Sequence, residues 1–86
     1  MNTYLLTIST PDGNLLKEQV TGLYLRGAEG DLAILANHVP FVTAVKAGEC
    51  KVELPDGSER HARTDGGLLS VAADGVTLLS GTFAWV

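Results

Sequence analysis

Glu49-Cys50-Lys51-Val52-Glu53-Leu54-Pro55-Asp56-Gly57-Ser58-Glu59-Arg60-His61-Ala62-Arg63 is the stretch that decides the fold. In its first half Cys50, Val52 and Leu54 take alternate positions, with Lys51 and Glu53 between them. A period of two puts the apolar set on one face of a strand and the charged set on the other. A helix would scatter the same residues around its circumference. Pro55-Asp56-Gly57-Ser58 then reads as a hairpin turn, because Gly takes φ > 0 at little cost and Asp caps the turn with its own side chain. Glu59 to Arg63 is a second alternating strand, charged, with His61 facing solvent.

The same pattern extends outward. Tyr4, Leu6 and Ile8 share one face, and Thr3, Thr7 and Ser9 the other. Val76, Leu78 and Ser80 alternate with Thr77 and Leu79, which suggests a strand buried on both sides. Pro11-Asp12-Gly13-Asn14, Ala28-Glu29-Gly30-Asp31, Asp65-Gly66-Gly67 and Ala73-Asp74-Gly75 read as further turns. Between them the expected strands are 3–9, 15–19, 20–26, 32–35, 41–46, 49–54, 59–64, 68–73 and 76–80, with 82–85 as a tenth. No stripe of period 3.6 persists for ten residues, and Leu15 to Gln19 is too short to stand as a helix. The prediction is an all-β chain, a two-layer antiparallel β-sandwich or flattened barrel of about ten short strands, forming one domain over 1–86. Its core should hold Leu32, Ile34, Val52, Leu54, Leu69, Val71, Val76 and Leu78.

Composition narrows the function classes. Apolar residues make up 45% of the 86, which argues against disorder. No apolar run approaches the roughly 20 residues of a membrane-spanning helix, so direct membrane insertion is not expected. Met1-Asn2-Thr3-Tyr4 lacks the basic start of a signal peptide, so the chain is expected to stay where it is made. A single cysteine, Cys50, excludes an intramolecular disulfide and any zinc site that needs several thiolates. Six Lys and Arg against ten Asp and Glu give a net charge of -4, the wrong sign for a nucleic-acid binder.

Searching the chain for chemistry returns little. His38 and His61 have no ligand spacing that would join them to Asp31 or Asp65 around a metal. Cys50 alternates with apolar residues and reads as a small buried hydrophobe without an activating base. Ser9, Ser58, Ser70 and Ser80 lack a nucleophile-elbow setting. Gly27, Gly30, Gly66 and Gly67 do not form a phosphate loop, since no Gly-Lys-Ser/Thr follows them at a strand-to-helix junction. The sequence thus carries no enzyme signature, cofactor motif or metal site, and no basic or Gly-rich phosphate cradle.

One segment stands out. Gly27-Ala28-Glu29-Gly30-Asp31-Leu32-Ala33-Ile34-Leu35-Ala36-Asn37-His38-Val39-Pro40-Phe41-Val42-Thr43-Ala44-Val45-Lys46-Ala47-Gly48 resembles a stretch of the epsilon subunit of F-type ATP synthases, called delta in mitochondria. Leu6-Thr7-Ile8-Ser9-Thr10-Pro11 is similar to that family's opening strand and turn. Asp65-Gly66-Gly67-Leu68-Leu69-Ser70-Val71 and Val76-Thr77-Leu78-Leu79 resemble two later segments, so the resemblance runs in order along nearly the whole chain. Ala33 and Asn37 stand where the family commonly has Gly, Ala36 where it has Pro, and Asp65 where it has Ser.

The resemblance implies a ten-stranded sandwich and a non-catalytic rotor part of the central stalk, linking the gamma subunit to the membrane c-ring so that ion translocation is coupled to ATP synthesis. It would sit peripherally on the face of the energy-coupling membrane that carries the catalytic head, the cytoplasmic side in a bacterium. The turn Glu29, Gly30 and Asp31 is the expected contact for the polar loops of the c-ring, because two carboxylates on a protruding turn suit a basic or amide-bearing partner. The corner His38, Val39, Pro40 and Phe41 is the expected contact for gamma, with Val39 and Phe41 supplying apolar area. The competing reading makes Phe41 a core residue. The family continues into an inhibitory helical hairpin, for which residues 76–86 leave no room, so neither that inhibition nor nucleotide binding is expected here. Two other classes remain: a free-standing sandwich that recognises an unrelated protein, and a small metal-binding jelly-roll enzyme using His38, His61 and acids.

Overall fold

The computed structural model describes residues 2–37 and 39–86. Those residues form eight strands: β1 (Tyr4–Thr10), β2 (Gly13–Val20), β3 (Gly22–Gly27), β4 (Gly30–Leu35), β5 (Phe41–Glu53), β6 (Glu59–Ala72), β7 (Gly75–Ser80) and β8 (Phe83–Trp85). Hydrogen bonding runs through them in the order β2-β1-β7-β6-β5-β3-β4, with β8 paired to β6. All pairings are antiparallel except β1 with β7, which run parallel. That pair is a correction to the all-antiparallel expectation. It joins strands from opposite ends of the chain, where no local turn imposes direction.

The count of eight, against the expected ten, has one cause. Expected strands 41–46 and 49–54 are the two halves of β5, and 59–64 and 68–73 the two halves of β6. Asp65-Gly66-Gly67 is therefore not a turn but lies within β6, opposite Lys46 and Val45 of β5. Gly66 and Gly67 take φ of 102° and 156°, which only glycine adopts readily, so the strand bends there without ending. At Gly67 an added Cβ would come within 1.9 Å of the Leu79 carbonyl oxygen. The bend is fixed by Thr64, whose hydroxyl accepts a bond from the Gly66 amide at 3.0 Å and lies 2.7 Å from the Ser80 hydroxyl. Thr64 and Ser80 are buried polar residues, and this pairing satisfies them.

These bends let one ladder serve as both layers of the sandwich. The core draws Leu6, Ile8, Leu69, Val71, Val76 and Leu78 from one half and Leu23, Ile34, Cys50, Val52 and Ala62 from the other, in a single cluster. Of the expected core, Leu32 and Leu54 are only partly buried at its margin, and the other six are buried. Leu79 departs from the expectation of a strand buried on both sides. It is 48% exposed, because β7 packs one face inward and shows the other to solvent.

The hairpins predicted at Asp12-Gly13 and Asp56-Gly57 are present. Gly57 donates to the Leu54 carbonyl at 3.0 Å, and Ser58 returns its amide to Asp56 Oδ1 at 2.9 Å. Those bonds favour the ionised Asp56 carboxylate and lower its pKa. Asn37 takes φ 66°. A left-handed residue is needed there, and Asn tolerates that conformation better than any branched side chain, which accounts for its standing where the resembled family commonly has Gly.

Candidate functional site

The turn proposed for the c-ring is a tight hairpin tip. Gly27 pairs with Gly30 across β3 and β4, leaving Ala28 and Glu29 as the two turn residues. Gly30 has φ 135°, and open space surrounds the position of a Cβ there. Glu29, Gly30 and Asp31 are all exposed. One pair down the hairpin, Arg26 faces Asp31, with Nε 3.5 Å from Oδ1. Glu29 and Asp31 are thus presented together, with Asp31 partly offset by a neighbouring cation. Between two well-exposed side chains that pair contributes at most about 1 kcal/mol.

The corner proposed for gamma begins β5. His38 lies outside the described residues. Val39 and Pro40 are exposed, and Phe41 is 38% exposed at the first position of β5, so it is not a core residue. Phe41 stands in line with Val71 and Val76 and so points to the inner side at the end of β5, while a separate set of exposed apolar residues lies on the outer side. Val42 (63% exposed), Leu68 (44%) and Leu79 lie on one outer face of β5, β6 and β7, where Ala44, Leu68 and Leu79 stand in line across the three strands. Only the register shows that they face away from the core.

A cleft opens on the other half of the sheet. Between β3 and β5 the register shifts: Tyr24 pairs with Lys51 and Gly27 with Val45, so Leu25 and Arg26 stand against the five residues 46–50. The resulting cleft has a volume of about 620 Å³. Arg26, Lys51 and Arg63 reach it from three strands, along with His61, Asp31 and Glu49. Lys51 Nζ sits 4.5 Å from the centre of the Tyr24 ring. Leu25 and Cys50, both buried, line it with apolar atoms. Burial pushes the Cys50 thiol up to about 12, so it is held as the neutral thiol. The sequence showed no basic cradle because these cations are scattered along the chain and meet only through strand register.

For the metal reading, His61 is exposed and its Nε2 lies 3.7 Å from Glu59 Oε1. Among the described residues no three His, Cys, Asp or Glu side chains gather to hold an ion. Among the same residues no helix is long and apolar enough to cross a membrane.

Comparison with known proteins places this geometry. The family described as "ATP synthase, Delta/Epsilon chain, beta-sandwich domain" matches residues 3–86. The chain is 32% identical over 80 residues to the ATP synthase epsilon chain of Desulfitobacterium hafniense, covering 93% of this chain and 60% of that one. It is 33% identical over 82 residues to the epsilon chain of Delftia acidovorans, covering 95% and 59%. The chain thus spans about three fifths of the length of these curated relatives. Among solved structures, a chain of the Euglena gracilis mitochondrial ATP synthase, determined as its OSCP/F1/c-ring assembly, superposes with a TM-score of 0.92 at 25% identity, covering 96% of this chain and 53% of that one. A chain of the Tetrahymena thermophila mitochondrial ATP synthase central stalk and c-ring shares the fold, with a TM-score of 0.81 at 16% identity over 95% of this chain and 66% of that one. With 84 of its 86 residues inside the family match, the chain belongs to the ATP synthase delta/epsilon family, as its β-sandwich.

Proposed function

We propose that this chain serves as a non-catalytic part of the rotor in an F-type ATP synthase, linking gamma to the c-ring in the central stalk. The observation that carries the reading is the match, at a TM-score of 0.92 over 96% of this chain, to a subunit of an assembly that contains F1 and the c-ring. In this role the sandwich is a rigid spacer between two partners. Torque passes through it without chemistry, so it needs two docking surfaces and no catalytic group. It works peripherally, on the membrane face that carries the catalytic head.

Two surfaces are available. The tip Glu29-Gly30-Asp31 offers exposed carboxylates to polar loops of the c-ring. The corner with exposed Val39 and Phe41 and, on the outer face of β5 to β7, Val42, Leu68 and Leu79 offer gamma apolar area that water otherwise covers. These two assignments can be tested separately with purified gamma and c-ring. Asp31→Lys should slow association with the ring and flatten its salt dependence, leaving gamma binding intact. Leu68→Asp should weaken gamma binding and spare the ring. Loss of both interactions in either variant, with the fold intact, would overturn the division of surfaces.

A further inference from the structure

The cleft between β3 and β5 shares only Asp31 with the tip proposed for the c-ring, and the cations that line it outnumber the carboxylates in a chain whose charge is the reverse. Three of the six Lys and Arg line it, against two of the ten Asp and Glu, with a third carboxylate, Glu59, at its margin beside Lys51, in a protein of net charge -4. The cations come from three neighbouring strands: Arg26 on β3, Lys51 on β5 and Arg63 on β6. Cross-strand register brings them together, since Lys51 pairs with His61 and Glu49 with Arg63. None of the three is locked in place. Arg26 meets Asp31 at 3.5 Å and Arg63 meets Glu49 at 3.5 Å, while Lys51 meets Glu59 at 3.3 Å and lies over the Tyr24 ring. Pairs of this kind between exposed or half-exposed side chains contribute little, so the guanidinium groups can exchange a carboxylate for a better anion.

We propose that this cleft binds a phosphate dianion, free or as a monoester, between Arg26 and Arg63 with Lys51 beside them. The planar fork of a guanidinium matches two oxygens of a phosphate, and Lys51 adds a point charge. A dianion also offers more charge than the single carboxylate each Arg now faces. The volume of about 620 Å³ lies within the range of small-molecule sites, roughly 300–1,000 Å³, and leaves room for the organic part of a monoester. The half-buried side chains of Tyr24 and Leu32 would face that part rather than the anion.

The test is a nuclear magnetic resonance titration of the labelled chain with inorganic phosphate and, separately, with glycerol 3-phosphate. Each is run near pH 7.5 against sodium chloride at equal ionic strength. Saturable shifts confined to amides of residues 24–26, 49–51 and 61–63 are expected from both. The double variant Arg26→Gln/Arg63→Gln should weaken binding by at least about tenfold while keeping the dispersed spectrum of a folded chain. Lys17→Gln, on β2 and away from the cleft, should change nothing. Equal affinity for the two probes would assign the site to the phosphate group alone, and tighter binding of glycerol 3-phosphate would extend it to monoesters. Shifts that match those of chloride, fail to saturate, or survive in the double variant would overturn the proposal.

Discussion

The hydroxyl of Tyr4 donates a 2.6 Å hydrogen bond to the backbone carbonyl of Ile34, tying β1 to β4. In the hydrogen-bonded order of the sheet, β1 is second from one edge and β4 is the other edge. A contact this short between them is possible only because the sheet has rolled over on itself. Tyr4 therefore acts as a clasp at the seam of the sandwich. Burial raises the pKa of its phenol, which keeps the donating proton in place throughout the ordinary pH range.

Replacing Tyr4 with Phe keeps the ring and removes the clasp. The Ile34 carbonyl loses this buried donor, which should cost about 1–2 kcal/mol in urea denaturation. Amide exchange along β4 should speed up more than along β6. An unchanged midpoint would show that the seam is held by apolar packing alone.

Gly67 and Gly48 make a matched pair for testing the bends. Their φ values are 156° and 155°, so an added Cβ is disfavoured at both by the same departure in φ. Their surroundings differ. A Cβ at Gly67 would strike the Leu79 carbonyl oxygen, whereas at Gly48 nothing lies within 4 Å. Gly67→Ala should cost about 3 kcal/mol or more, because rigid backbone cannot yield as an overpacked side chain can. Gly48→Ala should cost only the conformational strain, about 1–2 kcal/mol. Equal melting temperatures for the two variants would contradict this account of β6.

Asp65 gives a pH dependence with a definite sign. Its Oδ1 accepts the Thr82 amide at 3.0 Å and the Ser80 hydroxyl at 3.1 Å, which clamps the connection from β7 to β8. The Thr82 amide is the main cause of its lowered pKa. A carboxyl group whose pKa is lower in the folded chain stabilises it above the ordinary value of 3.8, and that contribution disappears as the pH falls through the folded value. Asp65→Ala should therefore be less stable than the unaltered chain at pH 7, and the two should converge as the pH falls below about 4. A difference that stays constant with pH would mean that packing, rather than ionisation, carries the effect.

Much of this architecture is legible in the sequence wherever a residue's environment depends on its near neighbours. The alternation at Tyr4, Leu6 and Ile8, and at Cys50 and Val52, sets which face is buried, and the Asp-Gly pairs at 12–13 and 56–57 mark hairpins. The glycines at 48, 66 and 67 look like the same punctuation, yet they bend strands that continue through them. A positive φ serves a turn and a bend equally well, and only the partner strand tells them apart. The outward face of Leu68 and Leu79, like the gathering of Arg26, Lys51 and Arg63, depends on register between strands distant in sequence. No local pattern encodes that register. The hairpin tip at Glu29 to Asp31 is legible because it is local, and the outer apolar face of Val42, Leu68 and Leu79 is not, because it depends on pairing between strands.

Assembly tests the rotor reading most directly. A gamma–c-ring complex stripped of its own epsilon subunit can be mixed with this chain and weighed by native mass spectrometry. The account predicts one copy of the chain per complex, displaced by added epsilon subunit and lost in a variant carrying both Asp31→Lys and Leu68→Asp. Failure of the folded chain to join the complex, under conditions in which the sandwich of a bona fide epsilon subunit does join, would contradict it.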